Sequence, residues 1–260
     1  MWLRLCLGRE VTVAEVFALI GVGVLAGIVS TVASLASVVS YPALLALGLP
    51  PLTANVTNTV ALLFTGVGAT VGSRPELAGQ WRRAGRLGLV TAAGGAAGAA
   101  LLLATPARTF EDVAPFLIGG ASLVLLWQAR RAPRPGLASG ERSPLLVAAL
   151  FCVAMYVGYF GAAAGIMLLA ILTPMLAESM ARTNAVKNVL TGLANAVAAA
   201  GFALFGPVHW AFVGPLAVGF LIGGWAGPAL VRRLPGRPLR IFIACCGLAL
   251  AVKLAISAYR

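Results

Sequence analysis

Long apolar runs, separated by short polar segments, dominate this chain. A membrane-spanning helix needs about 20 apolar residues, because each residue rises about 1.5 Å through a hydrocarbon core about 30 Å thick. Eight runs approach or reach that length: residues 13–29, 52–72, 87–104, 113–129, 144–161, 185–205, 210–231 and 239–258. The pattern therefore predicts an all-α, polytopic membrane protein with about eight full spans.

Two further apolar pieces, residues 38–47 and 166–177, are too short to span a bilayer without tilt. Each follows a stretch of small residues, 30–37 in one case and 161–165 in the other. Backbone that leaves a helix within a membrane must line a protein cavity, because lipid cannot satisfy its hydrogen bonds. We therefore expect two broken or re-entrant helices, and the pattern leaves open which of the two forms each takes.

The second half of the chain repeats the first at a constant offset of 129 positions. The most informative identical pairs are Asn55 with Asn184, Trp81 with Trp210, and Pro106 with Pro235. A segment rich in Pro, Gly and charge separates the halves. The predicted organisation is a first transmembrane repeat at 11–130, a cytoplasmic linker at 131–143 and a second repeat at 144–260.

Composition excludes several classes of protein. Hydrophobic residues make up 60% of the chain and charged residues only 10%, whereas soluble domains carry about 25% charged residues. The net charge of +12 could indicate nucleic-acid binding. However, the arginines form short clusters between apolar runs, which is typical of cytoplasmic membrane loops. We therefore expect a lipid bilayer as partner, and no nucleic acid.

Loop charges predict that the halves have opposite orientations in the membrane. The loop at 74–86 is basic, whereas its counterpart at 202–215 carries only His209. The loop that follows residue 104 is slightly acidic, whereas its counterpart at 232–240 holds four arginines. By the positive-inside rule, the basic loops at 74–86, 130–142 and 232–240 face the cytoplasm. Both chain termini then lie outside.

Lys187 is the one ionisable residue clearly placed within an apolar run. A charge at the centre of a membrane helix costs roughly 2.5 kcal/mol or more, so it indicates function. Asn184, Asn188, Thr191 and Asn195 share its helix face by their spacing. A cation and several donors near a helix N-terminus are typical of an anion site. Alternatively, Lys187 extends to the membrane interface and the asparagines only join helices.

The first half repeats this polar face. Asn55, Asn58 and Thr59 occupy the positions equivalent to Asn184, Lys187 and Asn188. Two such faces related by a pseudo-twofold axis would meet near the midplane, where inverted-repeat transporters bind substrate. The small-residue break of the first half would add the hydroxyls of Ser34 and Ser37. We therefore predict a substrate site at Asn55, Asn58, Thr59, Asn184, Lys187, Asn188, Thr191, Ser34 and Ser37.

Other chemistry has little support in the sequence. Of seven acidic residues, only Glu178 could serve a proton or sodium relay, and it is equally interpreted as a solvated helix start. No C-x-x-C pair, G-x-S-x-G, H-E-x-x-H or Walker motif is present. We therefore expect no enzymatic activity, no metal and no cofactor.

Three segments resemble the sulfite exporter TauE/SafE family of bacterial permeases: PALLALGLPPLTAN at 42–55, GYFGAAAG at 158–165 and RTNAVKN at 182–188. The resemblance covers nearly the whole chain. It implies two inverted halves in the bacterial inner membrane and transport of sulfite, a sulfonate or a related sulfur-containing anion. The chain departs from the family where Ser34-Leu-Ala-Ser37 replaces an expected glycine-rich run.

The combined interpretation is an alternating-access permease for a small anion. Faces of small residues would also permit a homodimer. Two alternatives remain open: a permease for another small solute, and a membrane scaffold that transports nothing. A scaffold has no need of a duplicated polar face at the midplane, which favours transport.

Overall fold

The computed structural model describes residues 11–33, 36–130 and 143–231, together with Cys245, Leu248, Val252 and Ile256. Ser34, most of the predicted linker and the rest of the predicted run at 239–258 lie outside these residues. The described ranges form helices and no strand. The helices are α1 Val13–Ala33, α2 Ala36–Ala46, α3 Pro51–Gly72, α4 Arg74–Leu77, α5 Trp81–Ala104, α6 Ala107–Arg130, α7 Pro144–Tyr159, α8 Ala164–Leu176, α9 Met180–Phe205 and α10 Trp210–Val231.

Five of the described helices, α1, α3, α5, α9 and α10, are long and apolar enough to cross a membrane. The all-helical membrane architecture predicted from the sequence is thereby confirmed for the described residues. Helix α7 has only 16 residues and stops before the end of the apolar run at 144–161. It stops because Phe160 leaves helical geometry and Gly161 adopts a φ of 73°. Helices α2 and α8 are short and apolar, as predicted.

The long helices approach one another through glycines. A Cβ on Gly27 of α1 would lie 2.9 Å from the backbone nitrogen of Gly224 in α10. A Cβ on Gly94 of α5 would lie 2.7 Å from the carbonyl oxygen of Phe151 in α7. Small residues let helix backbones approach closely and pack without gaps in a membrane. The predicted small-residue contacts are therefore helix-packing surfaces.

Helices of each half of the chain pack on a helix of the other half. In the described ranges, α1 and α3 of the first half pack on α10, whereas α7 and α9 of the second half pack on α5. Helices α3 and α9 also pack on each other. Gly95 lies against Ala194, and Gly224 lies against Thr65. Because 129 positions separate Gly95 from Gly224, and also Thr65 from Ala194, these two contacts occupy equivalent places in the two halves.

Packing also gives the helix directions. Along α1 and α10 the contacts advance together, from Gly23 with Gly219 to Gly27 with Gly223, so these helices are parallel. Helix α3 is parallel to α10 as well, since Thr57 near its start contacts His209 and Gly72 at its end contacts Trp225. Helix α2 must therefore run back between the parallel helices α1 and α3. The α1–α2 pair thus forms a helical hairpin.

Helices of the second half are arranged in a similar order. Helices α5 and α7 are parallel, because Gly94 contacts Phe151 and Gly98 contacts Tyr159. Helices α5 and α9 are also parallel, since their first turns are joined by an ion-pair cluster around Glu178 and their middles meet at Gly95. Helix α8 then runs back between α7 and α9, and α7–α8 forms a second helical hairpin.

Candidate functional site

A cavity of about 40 Å³ lies between α3 and α9, where the broken helices of both halves meet. Four pairs of equivalent residues, each 129 positions apart, line it: Ala36 and Gly165, Thr59 and Asn188, Leu62 and Thr191, Gly66 and Asn195. Cavities of this size hold about three water molecules, at roughly 10–15 Å³ each. The cavity therefore fits a ligand of a few heavy atoms.

Helix α8 begins at the cavity. Gly165 in its first turn lines the cavity from one side, and Ala36 and Ser37 of α2 line it from the other. The first turn of a helix has backbone N–H groups without helical acceptors and carries a partial positive charge. The N-terminus of α8 therefore favours a negatively charged occupant.

Lys187 lines the same cavity and is only 2% exposed. Of the described residues that line the cavity, it is the single charged side chain, and no carboxylate is among them. Burying an ammonium group costs several kcal/mol unless charge or hydrogen bonds compensate it. An anion in the cavity would interact favourably with this buried cation, whereas a second cation would be repelled by it.

Three donors beside Lys187 have no hydrogen-bond partner among the residues that the structure describes. They are the side-chain amide nitrogen of Asn188 and the hydroxyls of Thr65 and Thr191. All three residues line the cavity. A buried polar atom without a partner costs roughly 1–3 kcal/mol. Three of them around one cavity indicate a ligand that accepts hydrogen bonds.

Ser37 and Thr59 also line the cavity, and each has a hydrogen-bond partner in the first half. The Thr59 hydroxyl donates to the carbonyl oxygen of Asn55 at 2.9 Å. The Ser37 hydroxyl oxygen accepts from the Asn58 amide at 3.3 Å, which leaves its own O–H able to donate to a ligand. Ser37 is therefore a further candidate donor.

Three of the predicted asparagines do not line the cavity. The Asn55 amide donates to the carbonyl oxygen of Tyr159 at 3.0 Å, and the Asn184 amide donates to that of Thr31 at 3.2 Å. Asn58 accepts a hydrogen bond of 2.6 Å from Ser40, which ties α3 to α2. These side chains hold the broken helices in place.

The structure thus brings together five of the predicted site residues: Ser37, Thr59, Lys187, Asn188 and Thr191. It adds Ser30, Thr65 and Asn195 to the lining. Asn195 lies on the predicted polar face and was detectable from its spacing. Thr65 lies between apolar positions on α3, and nothing in the local sequence distinguishes it from a hydroxyl that only packs.

Glu178 joins the two halves outside the cavity. Its carboxylate lies 3.4 Å from Arg83 Nη1 and 3.0 Å from Arg182 Nε. Arg182 Nη2 also donates to the carbonyl oxygen of Ala78 at 3.2 Å. Glu178 therefore forms ion pairs with two arginines at the start of α5 and α9 and does not extend into the cavity lining.

Comparison with known proteins gives a consistent result. The family model described as Sulfite exporter TauE/SafE matches residues 19–254. The "Probable membrane transporter protein YfcA" of Escherichia coli K12 is 26% identical over 242 residues, which cover 90% of this chain and 87% of the relative. The YfcA proteins of strains CFT073 and O157:H7 match to the same extent. No solved structure matches the chain.

Proposed function

Because the chain belongs to the sulfite exporter TauE/SafE family of membrane transporters, we propose that it carries a small anion by alternating access through the cavity between its halves. The proposed substrate is sulfite, a sulfonate or a related sulfur-containing anion. One observation carries this proposal: Lys187 is buried beside three donors that have no partner among the described residues, at a cavity where helix α8 begins.

Each group has a distinct role in holding such an anion. Lys187 would neutralise its charge in a region that water and lipid do not screen. The amide of Asn188 and the hydroxyls of Thr65 and Thr191 would donate to its oxygen atoms, as hydrogen bonds to charged groups are worth about 1.5–3 kcal/mol each. Ser37 would supply a further hydroxyl. This set contains donors from both halves.

The cavity volume restricts the size of the substrate. About 40 Å³ accommodates a compact oxyanion such as sulfite. A sulfonate with a long alkyl chain would require the cavity to widen. We therefore place sulfite and the smallest sulfonates first among the candidate substrates.

The packing of helices of each half on the other half, together with the hairpins α1–α2 and α7–α8, supports an inverted-repeat mechanism. Transporters of this class bind substrate at the repeat interface and expose it alternately by moving one unit against the other. We propose repeats at 11–130 and 144–260, with the run at 239–258 completing the second repeat. The basic loops would face the cytoplasm of a bacterial cell, with both termini outside the inner membrane. A homodimer is compatible with this arrangement.

The test is thermal unfolding of the detergent-purified protein with sulfite, methanesulfonate, sulfate or chloride. A ligand that binds only the folded state raises its stability as occupancy increases. We expect sulfite to raise the Tm of the wild type and of Arg82→Ala, which removes an exposed cation outside the cavity lining. Lys187→Met, which keeps the side-chain length without the charge, should lose the response.

Two outcomes would contradict the proposal. Either no anion raises the Tm of the wild type, or Lys187→Met responds as the wild type does. Uptake into proteoliposomes then separates transport from a scaffold role, because a scaffold moves neither sulfite nor any other solute.

A further inference from the structure

We propose that Asn55 and Asn184 act as two latches, one at each end of the cavity, and that transport opens one while the other stays closed. The Asn55 latch is the hydrogen bond from Asn55 to the carbonyl oxygen of Tyr159. The Asn184 latch is the hydrogen bond from Asn184 to the carbonyl oxygen of Thr31. This inference rests on the alternating-access function proposed above.

The position of each asparagine places it just beyond the cavity. Asn55 precedes the cavity-lining Thr59 by four residues on α3, and Asn184 precedes the cavity-lining Lys187 by three residues on α9. Residues three or four apart share a helix face and are separated by about one turn, or 5 Å. Asn55 contacts Tyr159, which packs on Gly98 in the second half of α5. Asn184 lies near the start of α9, which Glu178 joins to the start of α5. The two asparagines therefore lie at opposite ends of the cavity.

Both latches join one half of the protein to the other. Asn55 belongs to the first half and holds the end of α7, whereas Asn184 belongs to the second half and holds the end of α1. The carbonyl of Tyr159 lies in the last turn of α7, where the helix itself supplies no donor, and the carbonyl of Thr31 lies among the last described residues of α1. Within a membrane such a carbonyl requires a partner, so the asparagine amide stabilises the broken helix end.

Opening the cavity toward either end requires the halves to separate at that end. Separation near Asn55 must break the bond to Tyr159, and separation near Asn184 must break the bond to Thr31. The two bonds have similar lengths, 3.0 and 3.2 Å. Their donors occupy equivalent positions in the repeats, and their acceptors differ from equivalence by one position. The closed ends therefore differ little in energy, and a small bias can select which of them opens.

This role differs from that of the residues around Lys187. The amides of Asn55 and Asn184 are already used in bonds between the halves, so they position helix ends and do not bind the anion. Asn58 provides a matched control, because it is a buried asparagine on α3 whose hydrogen bonds to Ser37 and Ser40 stay within the first half.

The test measures which side of the membrane reaches the cavity. Leu62→Cys places a reporter on the cavity lining, in a chain whose native cysteines are replaced by serine. A membrane-impermeant methanethiosulfonate reagent is applied to right-side-out and to inside-out vesicles. Asn184→Leu and Asn55→Leu remove a donor with little change in side-chain shape.

We expect Asn184→Leu to raise the labelling rate about five-fold from the side of the α9 N-terminus only, which is the effect of losing one hydrogen bond of ordinary net strength. Asn55→Leu should raise it from the opposite side only. Asn58→Leu should leave the ratio between the sides unchanged. Asn55→Ala and Asn184→Ala replace the leucine variants if those fail to fold.

Equal changes on both sides, or no change, would overturn the latches. Thermal stabilisation by sulfite, measured on the same variants, separates this failure from that of the proposed function. If sulfite still stabilises the protein while the labelling rates from the two sides change equally or not at all, the latches are wrong and the anion site stands. If each variant raises the labelling rate from one side only but no anion raises the Tm, the latches stand and the proposed substrate is wrong.

Discussion

Gly66 of α3 and Gly192 of α9 face each other at van der Waals distance, so that a Cβ added to Gly66 would lie 2.8 Å from the Cα atom of Gly192. Both glycines line the cavity. Their contact brings the two polar helices together backbone to backbone. The donors of the two halves can therefore reach one small ligand.

Gly66→Ala tests this contact. The added methyl group meets backbone atoms that cannot rotate away, and overpacking of this kind costs about 1–3 kcal/mol. We expect a lower Tm and a loss of sulfite-dependent stabilisation. Gly85→Ala is the control, because a Cβ at Gly85 meets no atom within 4 Å. A Gly66→Ala protein as stable as the Gly85→Ala protein would refute the close contact.

Asn188→Leu tests whether the cavity donors serve a ligand. The Asn188 amide nitrogen has no partner among the described residues, so its removal should leave the stability of the ligand-free protein unchanged or higher. The affinity for sulfite should fall about ten-fold or more, since a hydrogen bond to a charged group contributes about 1.5–3 kcal/mol. The measurement is the Tm as a function of sulfite concentration.

Thr57→Val is the matched control for Asn188→Leu. Thr57 is buried, and its hydroxyl oxygen accepts a 3.0 Å hydrogen bond from the backbone N–H of His209. Its loss should lower the Tm of the ligand-free protein and leave sulfite affinity unchanged. If both variants lose stability and keep their affinity, the donors around Lys187 have a structural role only.

Glu178→Gln tests the ion pairs outside the cavity. The side chains of Arg83 and Glu178 are 28% and 30% exposed, and partly exposed pairs contribute about 1 kcal/mol or less. We expect a small decrease in Tm that shrinks as salt concentration rises, because ions screen exposed charges. Arg82→Ala removes a neighbouring exposed arginine and should have a smaller effect. A large, salt-independent loss would indicate a buried role for Glu178.

Gly161→Ala tests the break between α7 and α8. Gly161 has a φ of 73°, and a Cβ there would lie 3.0 Å from the carbonyl oxygen of Val157. The left-handed region costs roughly 1–2 kcal/mol for residues other than glycine, so the Tm should fall. Ala163 already has a φ of 58°, and Ala163→Gly should be neutral or stabilising. A neutral Gly161→Ala would show that the break tolerates another backbone geometry.

The helices of this protein follow closely from the sequence. The apolar run at 210–231 coincides with α10, and the run at 52–72 differs from α3 by one residue. Agreement is close because backbone groups in lipid must be satisfied within the helix itself, so apolar length alone selects the structure. The repeat offset of 129 likewise indicated which polar residues occupy equivalent positions.

A break at 161–165 was predicted from the small residues there, but the exact end of α7 at Tyr159 could not be obtained in this way. Residues 160 and 161 continue an apolar, small-residue stretch, and local propensity does not distinguish a helix end there from a glycine inside a helix. The break at Phe160 and Gly161 leaves the carbonyl of Tyr159 at the end of α7. That carbonyl accepts a hydrogen bond from Asn55 of α3, which lies in the other half of the protein.

Tertiary structure alone decided which residues of the polar face line the cavity and which join helices of the two halves. Asn55 and Thr59 lie one turn apart on one face of α3, so the sequence predicts a common role for them. In the folded protein the amide of Asn55 meets the carbonyl of Tyr159, which is 104 positions away in the chain, whereas Thr59 lines the cavity. Helical periodicity determines which side chains share a face, because it is a local property. Which atom each side chain meets depends on how the two halves pack, because the partner lies in the other half.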